Sequence, residues 1–312
     1  MSVPDYQSLM RPLLDLASRE PKDIREAANE IADALHLSQA ERDELLPNGS
    51  KTKFYDRVQW AKTYLKQAGL LIYPKRAHFT ITDEGLTFRS RHDGPISNSD
   101  LERFSAFQDF KTRSNKSDGE DDSATETKMI QQSLSTTSQT PDEQMFSLYK
   151  SINEELAAEL IERVQAMPPV FFERLLVTLL VRMGYGGNAE EAGRDLGKSG
   201  DGGVDGVIDQ DRLGVDQVYI QAKRYADENS VGSGAIRDFF GALNMKRATK
   251  GIFFTTSSFT KDARETAAKL SSRIVLINGR QLARLMIEAN VGCREETTLV
   301  MRRIDEDFFD NA

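Results

Sequence analysis

Three polar side chains interrupt two short apolar segments in the second half of the chain. The segment GGVDGVI carries Asp205 between valines, and the segment VYIQAKRY carries Gln221 and Lys223. A carboxylate or ammonium group inside a dry sheet is costly unless a partner compensates its charge. A divalent cation together with a phosphate would compensate both charges. These residue types therefore indicate metal-assisted chemistry at a phosphate group.

The two segments are predicted to form antiparallel strands joined by a polar turn around Asp209–Gly214. Because alternate residues of a strand share a face, Gln221 and Lys223 point to the same side. Antiparallel pairing then brings Asp205 to the same patch. Asp205 offers an anionic oxygen to Mg²⁺, and Gln221 offers a neutral carbonyl oxygen. Lys223 could orient or deprotonate the attacking water and stabilise charge in the transition state.

Glu173 is the candidate for a second acid, because Gln221 carries no charge. It lies near the start of a helix predicted to begin around Val170, upstream of both strands. The alternative for Glu173 is a solvent-facing or capping acid near a helix start. The alternative for Asp205 and Lys223 is a buried structural ion pair.

The segments around this patch alternate between helical and extended patterns. Helices are predicted at 143–167, from 170 onward, and at 235–246, 260–270 and 280–289, and strands at 203–208, 217–223, 251–255 and 274–277. This order predicts an α/β sheet covered by helices.

The N-terminal part has helical spacing of apolar residues and one basic region. A helix is predicted at 53–68, followed by a hairpin of 70–73 and 78–81. Helices followed by a hairpin with a basic tip predict a winged helix-turn-helix that binds DNA. The alternative is a helical protein-interaction domain with a basic face. The candidate DNA-binding residues are Lys51, Lys53, Arg57, Lys62, Lys66, Lys75 and Arg76.

Composition predicts where these parts begin and end. Residues 113–141 contain no aromatic residue and are dominated by Ser, Thr, Gln and acidic residues, so they are predicted to form a flexible linker. A winged-helix domain is predicted at 1–95, a helical extension at 96–112 and the catalytic domain at 142–312.

An acid on one strand followed by Glu/Gln-x-Lys on the next resembles the PD-(D/E)xK nuclease superfamily. Five stretches in order resemble the Mrr-type restriction endonuclease family: FFERLLVTLLVRMGYGG, GDGGVDGVI, VYIQAKRY, IRDFFGAL and GIFFTTSSFTKDA. The resemblance implies that Asp205 binds metal, that Gln221 replaces the more usual Glu and that Lys223 is catalytic. It also implies that Glu173 is the helix acid and that the carbonyl of Ala222 binds metal. Val204 stands where the superfamily has Pro.

The resemblance implies a PD-(D/E)xK-type α/β nuclease domain behind a mainly helical winged-helix domain. The implied activity is Mg²⁺-dependent cleavage of modified, typically methylated, foreign double-stranded DNA. Since cutting two strands needs two active sites, a homodimer or higher homo-oligomer is expected. One alternative is a DNA-binding regulator that does not cleave and uses its nuclease-like domain for interaction. Another is an enzyme that acts on RNA or branched DNA.

The composition of the 312-residue chain excludes several other classes of protein. A single Cys293 excludes an internal disulfide framework, and with only three widely spaced His the composition argues against a Cys/His zinc site. The net charge is −8, although residues 51–78 contain seven Lys or Arg and one Asp. No secretory signal is visible, and the longest mainly apolar run, Leu175 to Val181, is too short to span a bilayer. A cytoplasmic location is therefore expected.

Overall fold

The computed structural model describes residues 3–75, 78–113, 138–186, 203–211, 213–226 and 228–302. The chain divides into two compact units between Tyr149 and Lys150. In the described ranges, no helix is both long enough and apolar enough to cross a membrane.

The first unit is mainly helical, as the sequence predicts. Its elements are α1 (Tyr6–Ala17), β1 (Lys22–Asp23), α2 (Ile24–Ala34), α3 (Gln39–Asp43), α4 (Lys53–Gln67), β2 (Leu71–Lys75), β3 (His78–Ile81), α5 (Asp83–Arg91), α6 (Asn98–Leu101) and α7 (Ser105–Arg113). Helix α4 begins at the N-cap Thr52, whose side chain accepts a hydrogen bond from the Tyr55 N–H. It buries Val58, Ala61 and Leu65 completely, at the helical spacing the sequence shows.

A small sheet accompanies these helices. Strands β2 and β3 form the predicted antiparallel hairpin. Residues Lys22 and Asp23 add a third strand, β1, on the other side of β3. Strand β1 could not be predicted from the sequence, because two polar residues show no alternating pattern. Helices with a three-stranded sheet of this kind form a winged helix-turn-helix arrangement.

The predicted linker, 113–141, lies mostly outside the described residues. Its last residues are described, and they are ordered by contacts with α4. The Thr140 side chain is completely buried and donates a 2.8 Å hydrogen bond to Asp56. The next helix, α8 (Pro141–Ala166), begins immediately afterwards and extends across the division between the units.

The second unit contains the α/β sheet. After α8 its elements are α9 (Pro169–Arg182), β4 (Gly206–Asp209), β5 (Gln217–Lys223), α10 (Ser233–Met245), β6 (Lys250–Thr255), α11 (Lys261–Lys269), β7 (Arg273–Ile277) and α12 (Gly279–Glu288). The strand order is β4-β5-β6-β7. Strand β4 is antiparallel to β5, whereas β5, β6 and β7 are parallel.

Helices cover both faces of this sheet, so its strands are apolar on both sides. Ile220 packs in a core with residues of α8, α9 and α12. Its neighbour Tyr219 packs on the opposite core, with residues of α10 and α11. Gln221 and Lys223 follow Tyr219 at alternate positions and therefore lie on the α10–α11 face at the end of β5.

Candidate active site

The carboxylate of Asp205 is held against β5 by two hydrogen bonds. Asp205 directly precedes β4, and its N–H donates a 2.9 Å hydrogen bond to the Ile220 carbonyl. Its Oδ2 accepts hydrogen bonds from the Ala222 N–H, at 2.7 Å, and from the Gln221 side-chain amide. Gln221 is buried, with 5% of its surface exposed. The antiparallel pairing predicted from sequence thus brings Asp205 and Gln221 into contact.

Lys223 is the last residue of β5 and is only partly buried. It stands two residues after Gln221, so the two side chains leave the same face of the strand. In the part of the chain that the structure describes, the Lys223 ammonium makes no hydrogen bond or ion pair. The alternative of a buried Asp205–Lys223 ion pair is therefore not what the structure shows, since the Asp205 carboxylate is held by Gln221 and Ala222 instead.

Glu173 lies in the first turns of α9, close enough to Asp205 for their charges to interact. Partial burial raises the pKa of Glu173 above its ordinary value of 4.5, and the negative charge of Asp205 raises that pKa further. Helix α9 is positioned by its apolar side, on which Phe172, Leu176 and Leu179 are buried. The helix acid predicted from sequence therefore faces the vicinity of Asp205.

We expect Glu173→Gln to stabilise the metal-free protein slightly near pH 7.5. Because the folded-state pKa is raised, the folded protein holds this proton more tightly than the unfolded chain does. That contribution to stability is complete below about pH 4.5 and is lost as the pH rises through the raised pKa. The neutral amide avoids this loss, so the Tm at pH 7.5 should rise by on the order of 1 °C, solvent screening keeping the effect small.

The measurement is thermal unfolding of both proteins in chelator at pH 7.5 and at pH 4. The difference in Tm should disappear at pH 4, where Glu173 is protonated. Glu162→Gln, which neutralises an exposed acid of α8, serves as the control and should shift the Tm at neither pH. A lower Tm for Glu173→Gln at pH 7.5 would contradict the repulsion between Glu173 and Asp205.

The donor set is compatible with a divalent cation. In the described part, Oδ1 of Asp205 has no hydrogen-bond partner, while Oδ2 is occupied. Burial, and then repulsion by Asp205, raise the pKa of Glu173, and a bound cation would relieve that repulsion. No group of three or more His, Cys, Asp or Glu suited to a metal occurs among the residues described. The oxygens of Gln221 and Ala222, which are not acids, would therefore have to complete the ligand set.

Two of the predicted DNA-binding cations form ion pairs within the first unit, which corrects the prediction that they contact DNA. Arg57 is buried, pairs with Glu143 at 2.8 Å and also donates to the carbonyls of Val3 and Pro4. Lys51 forms ion pairs with Asp56 and, at 3.0 Å, with Asp142. Arg57 is buried in these contacts and the partly buried Lys51 is shared by two carboxylates, so neither cation is available for a phosphate.

Lys62 and Lys66 form a different arrangement, on the exposed side of α4. Their ammonium groups lie over the Tyr73 ring, 4.8 and 4.5 Å from its centroid. Tyr73 is 40% exposed on β2 and was not singled out in the sequence, where it reads as an ordinary strand residue. Of the other predicted cations, Lys53 pairs with Glu44 at 2.9 Å. Lys75 ends β2, and Arg76 lies outside the described residues.

Both halves of the chain match known protein families. A family model described as "Restriction endonuclease" matches residues 164–286, and one described as "Mrr N-terminal domain" matches residues 6–91. The "Type IV methyl-directed restriction enzyme EcoKMrr" of Escherichia coli strain K12 is 33% identical over 320 residues. That match covers 99% of this chain and all of the relative.

Two solved structures show more distant likeness. The DNA modification-dependent restriction endonuclease AspBHI is 17% identical, with a TM-score of 0.34, over 45% of this chain and 36% of that one. The MspJI restriction endonuclease in complex with a 27-mer oligonucleotide is 20% identical, with a TM-score of 0.29, over 68% of this chain and 49% of that one. The sequence match to the relative, at 33% identity over 99% of the chain, shows the family. This chain belongs to the Mrr-type family of restriction endonucleases.

Proposed function

We propose that this chain is a modification-dependent DNA endonuclease that uses Mg²⁺ and acts on methylated foreign DNA. The observation that carries the proposal is the Asp205 carboxylate held by Gln221 and Ala222, on the strand whose last residue, Lys223, forms no ion pair with a described residue. In a restriction endonuclease family, such a group of residues is suited to hydrolysis of a phosphodiester bond. The relative named as methyl-directed supports the choice of substrate.

Asp205, Gln221 and the Ala222 carbonyl would hold the cation, and Glu173 would add a second carboxylate. When bound, a hard divalent cation lowers the pKa of water and polarises a phosphoryl oxygen. Lys223 places a positive charge where negative charge accumulates on the scissile phosphate, and it can also orient the attacking water. The hydrogen bonds from Gln221 and Ala222 fix the orientation of the Asp205 carboxylate.

The first unit would provide binding to duplex DNA. Lys62 and Lys66 are four residues apart on α4, and both ammonium groups lie over the Tyr73 ring, which places two positive charges close together. Two neighbouring cations of this kind suit contact with the phosphates of DNA. Lys53, Lys75 and Arg76 stay proposed as further contacts, whereas Arg57 and Lys51 are not retained. A homodimer or higher assembly would supply one active site for each DNA strand.

The function is tested by incubating the purified protein with one plasmid in methylated and unmethylated form, with Mg²⁺ and with chelator. We expect cleavage only of the methylated plasmid, and only when Mg²⁺ is present. Equal cleavage of both forms would overturn the dependence on modification, and cleavage in chelator would overturn the metal requirement. Binding without nicking of either form would support a regulator that does not cleave. Cleavage of RNA or branched DNA only would identify another phosphodiester as the substrate.

A further inference from the structure

A buried hydroxyl group helps to fasten the segment that follows Lys223. Thr256 is the first residue after β6 and is 1% exposed. Its Oγ1 accepts a 2.9 Å hydrogen bond from the Tyr225 N–H and donates a 2.6 Å hydrogen bond to the Tyr225 carbonyl. One side chain thus forms hydrogen bonds with both the N–H and the carbonyl of Tyr225. Tyr225 lies beyond the end of β5 and is not part of the strand pairing.

The backbone of Thr256 also holds Lys223. The regular pairing of β5 with β6 ends at Lys223 and Thr255. The Thr256 N–H then donates to the Lys223 carbonyl at 3.3 Å. The end of β5 is therefore bound on both sides of Arg224 by one residue, and the pairing with β6 is extended past the last regular pair.

Neighbouring elements hold Thr256 itself in place. Gln165, at the end of α8, donates from Nε2 to the carbonyls of Tyr225 and Thr256, at 3.2 and 3.4 Å. Arg224 in turn donates to the Gln165 carbonyl. Helix α12 approaches so closely that a Cβ on Gly279 would lie 2.2 Å from the Thr256 carbonyl oxygen. Such a distance is only possible with glycine at that position.

From these contacts we infer that Thr256 is a positioning residue for Lys223. This inference rests on the proposed nuclease function. The Lys223 ammonium stands at the end of a long flexible side chain and, among the described residues, no side chain holds it. Its position at the phosphate therefore depends on where the end of β5 is held. Displacements of about 1 Å at a catalytic group can reduce rates by up to about 100-fold.

The experiment compares two pairs of proteins that differ by the hydroxyl group alone: wild type with Thr256→Val, and Thr256→Ser with Thr256→Ala. Plasmid cleavage and DNA binding are measured for each. Loss of the hydroxyl should lower kcat about 10- to 100-fold while leaving KM and the DNA Kd within about 2-fold. Thr256→Ser, which keeps the hydroxyl, should retain kcat within about 3-fold of wild type. If Thr256→Val does not fold, the Ser and Ala pair makes the same comparison.

Thr260→Val provides the matched control. Thr260 is the N-cap of α11, where its side chain accepts a hydrogen bond from the Ala263 N–H. The same substitution there should lower the Tm and leave kcat unchanged. An unchanged kcat on loss of the Thr256 hydroxyl, or equal losses at Thr256 and Thr260, would overturn the positioning role. A wild-type protein that fails to cleave any DNA would instead overturn the proposed function.

Discussion

Asp205→Asn and Lys223→Ala are each expected to lower the rate of DNA cleavage by at least about 1,000-fold. Asparagine keeps an oxygen that can accept the hydrogen bond from the Ala222 N–H. Asp205→Asn therefore removes the negative charge while changing the local packing little. Lys223→Ala removes a positive charge that forms no hydrogen bond or ion pair in the described part of the chain. Loss of rate in both variants would therefore reflect chemistry and not a broken core.

The measurement is the single-turnover rate of plasmid nicking, together with the Kd for the same DNA. Both variants should bind DNA as wild type does. The contrasting variant is Lys62→Ala combined with Lys66→Ala, which should weaken binding, lessen its salt dependence and leave the single-turnover rate at saturation unchanged. Cleavage within 10-fold of wild type by both site variants would exclude the proposed mechanism.

Arg57→Ala is expected to destabilise the first unit by about 3–5 kcal/mol. Its guanidinium is buried, pairs with Glu143 and satisfies two backbone carbonyls. Removing it leaves the Glu143 carboxylate, itself 9% exposed, without its positive partner. If Arg57 were instead an exposed phosphate contact, the same substitution would weaken DNA binding and hardly change stability.

The single tryptophan, Trp60, allows this unit to be observed separately. It lies on α4, one turn after Arg57, and packs against the core of the first unit. Urea unfolding followed by its fluorescence should therefore report the loss. Arg103→Ala is the control, because the Arg103 side chain is exposed where it pairs with Asp100 at 3.3 Å. That variant should lose less than about 1 kcal/mol. A similarly small loss for Arg57→Ala would contradict its structural role.

The positions of most helices and strands could be predicted from the sequence, because apolar spacing and cap residues are local signals. The winged-helix hairpin and the order of elements in the α/β unit are confirmed on this basis. The fold class and the Mrr-type family are confirmed as well. Strand β1 was missed because two residues carry no periodic pattern. The role of Thr256 could not be predicted either, because its side chain holds Tyr225, which lies 31 residues away in the chain.

The candidate site was predictable to a similar extent. Alternation along β5 determines that Gln221 and Lys223 share a face, and a short turn between β4 and β5 determines that Asp205 joins them. The structure adds that Oδ2 of Asp205 is bound by the Gln221 amide and the Ala222 N–H. It also shows that Glu173 is close enough to Asp205 for the charge of Asp205 to add to burial in raising the pKa of Glu173. The assigned roles of these residues stay predictions until the variants are measured.

The sequence alone determined the residue types, their faces on local elements and the family. Only the tertiary structure decided which charged residues are available for function. The seven predicted cations look alike in the sequence. In the structure, Arg57 pairs with Glu143, which is 86 residues away, and the Lys62 ammonium lies over the Tyr73 ring of β2. The physical reason is that the energy of a charge depends on its solvation and on partners brought close by folding, whereas helix and strand periodicity depends on neighbours along the chain.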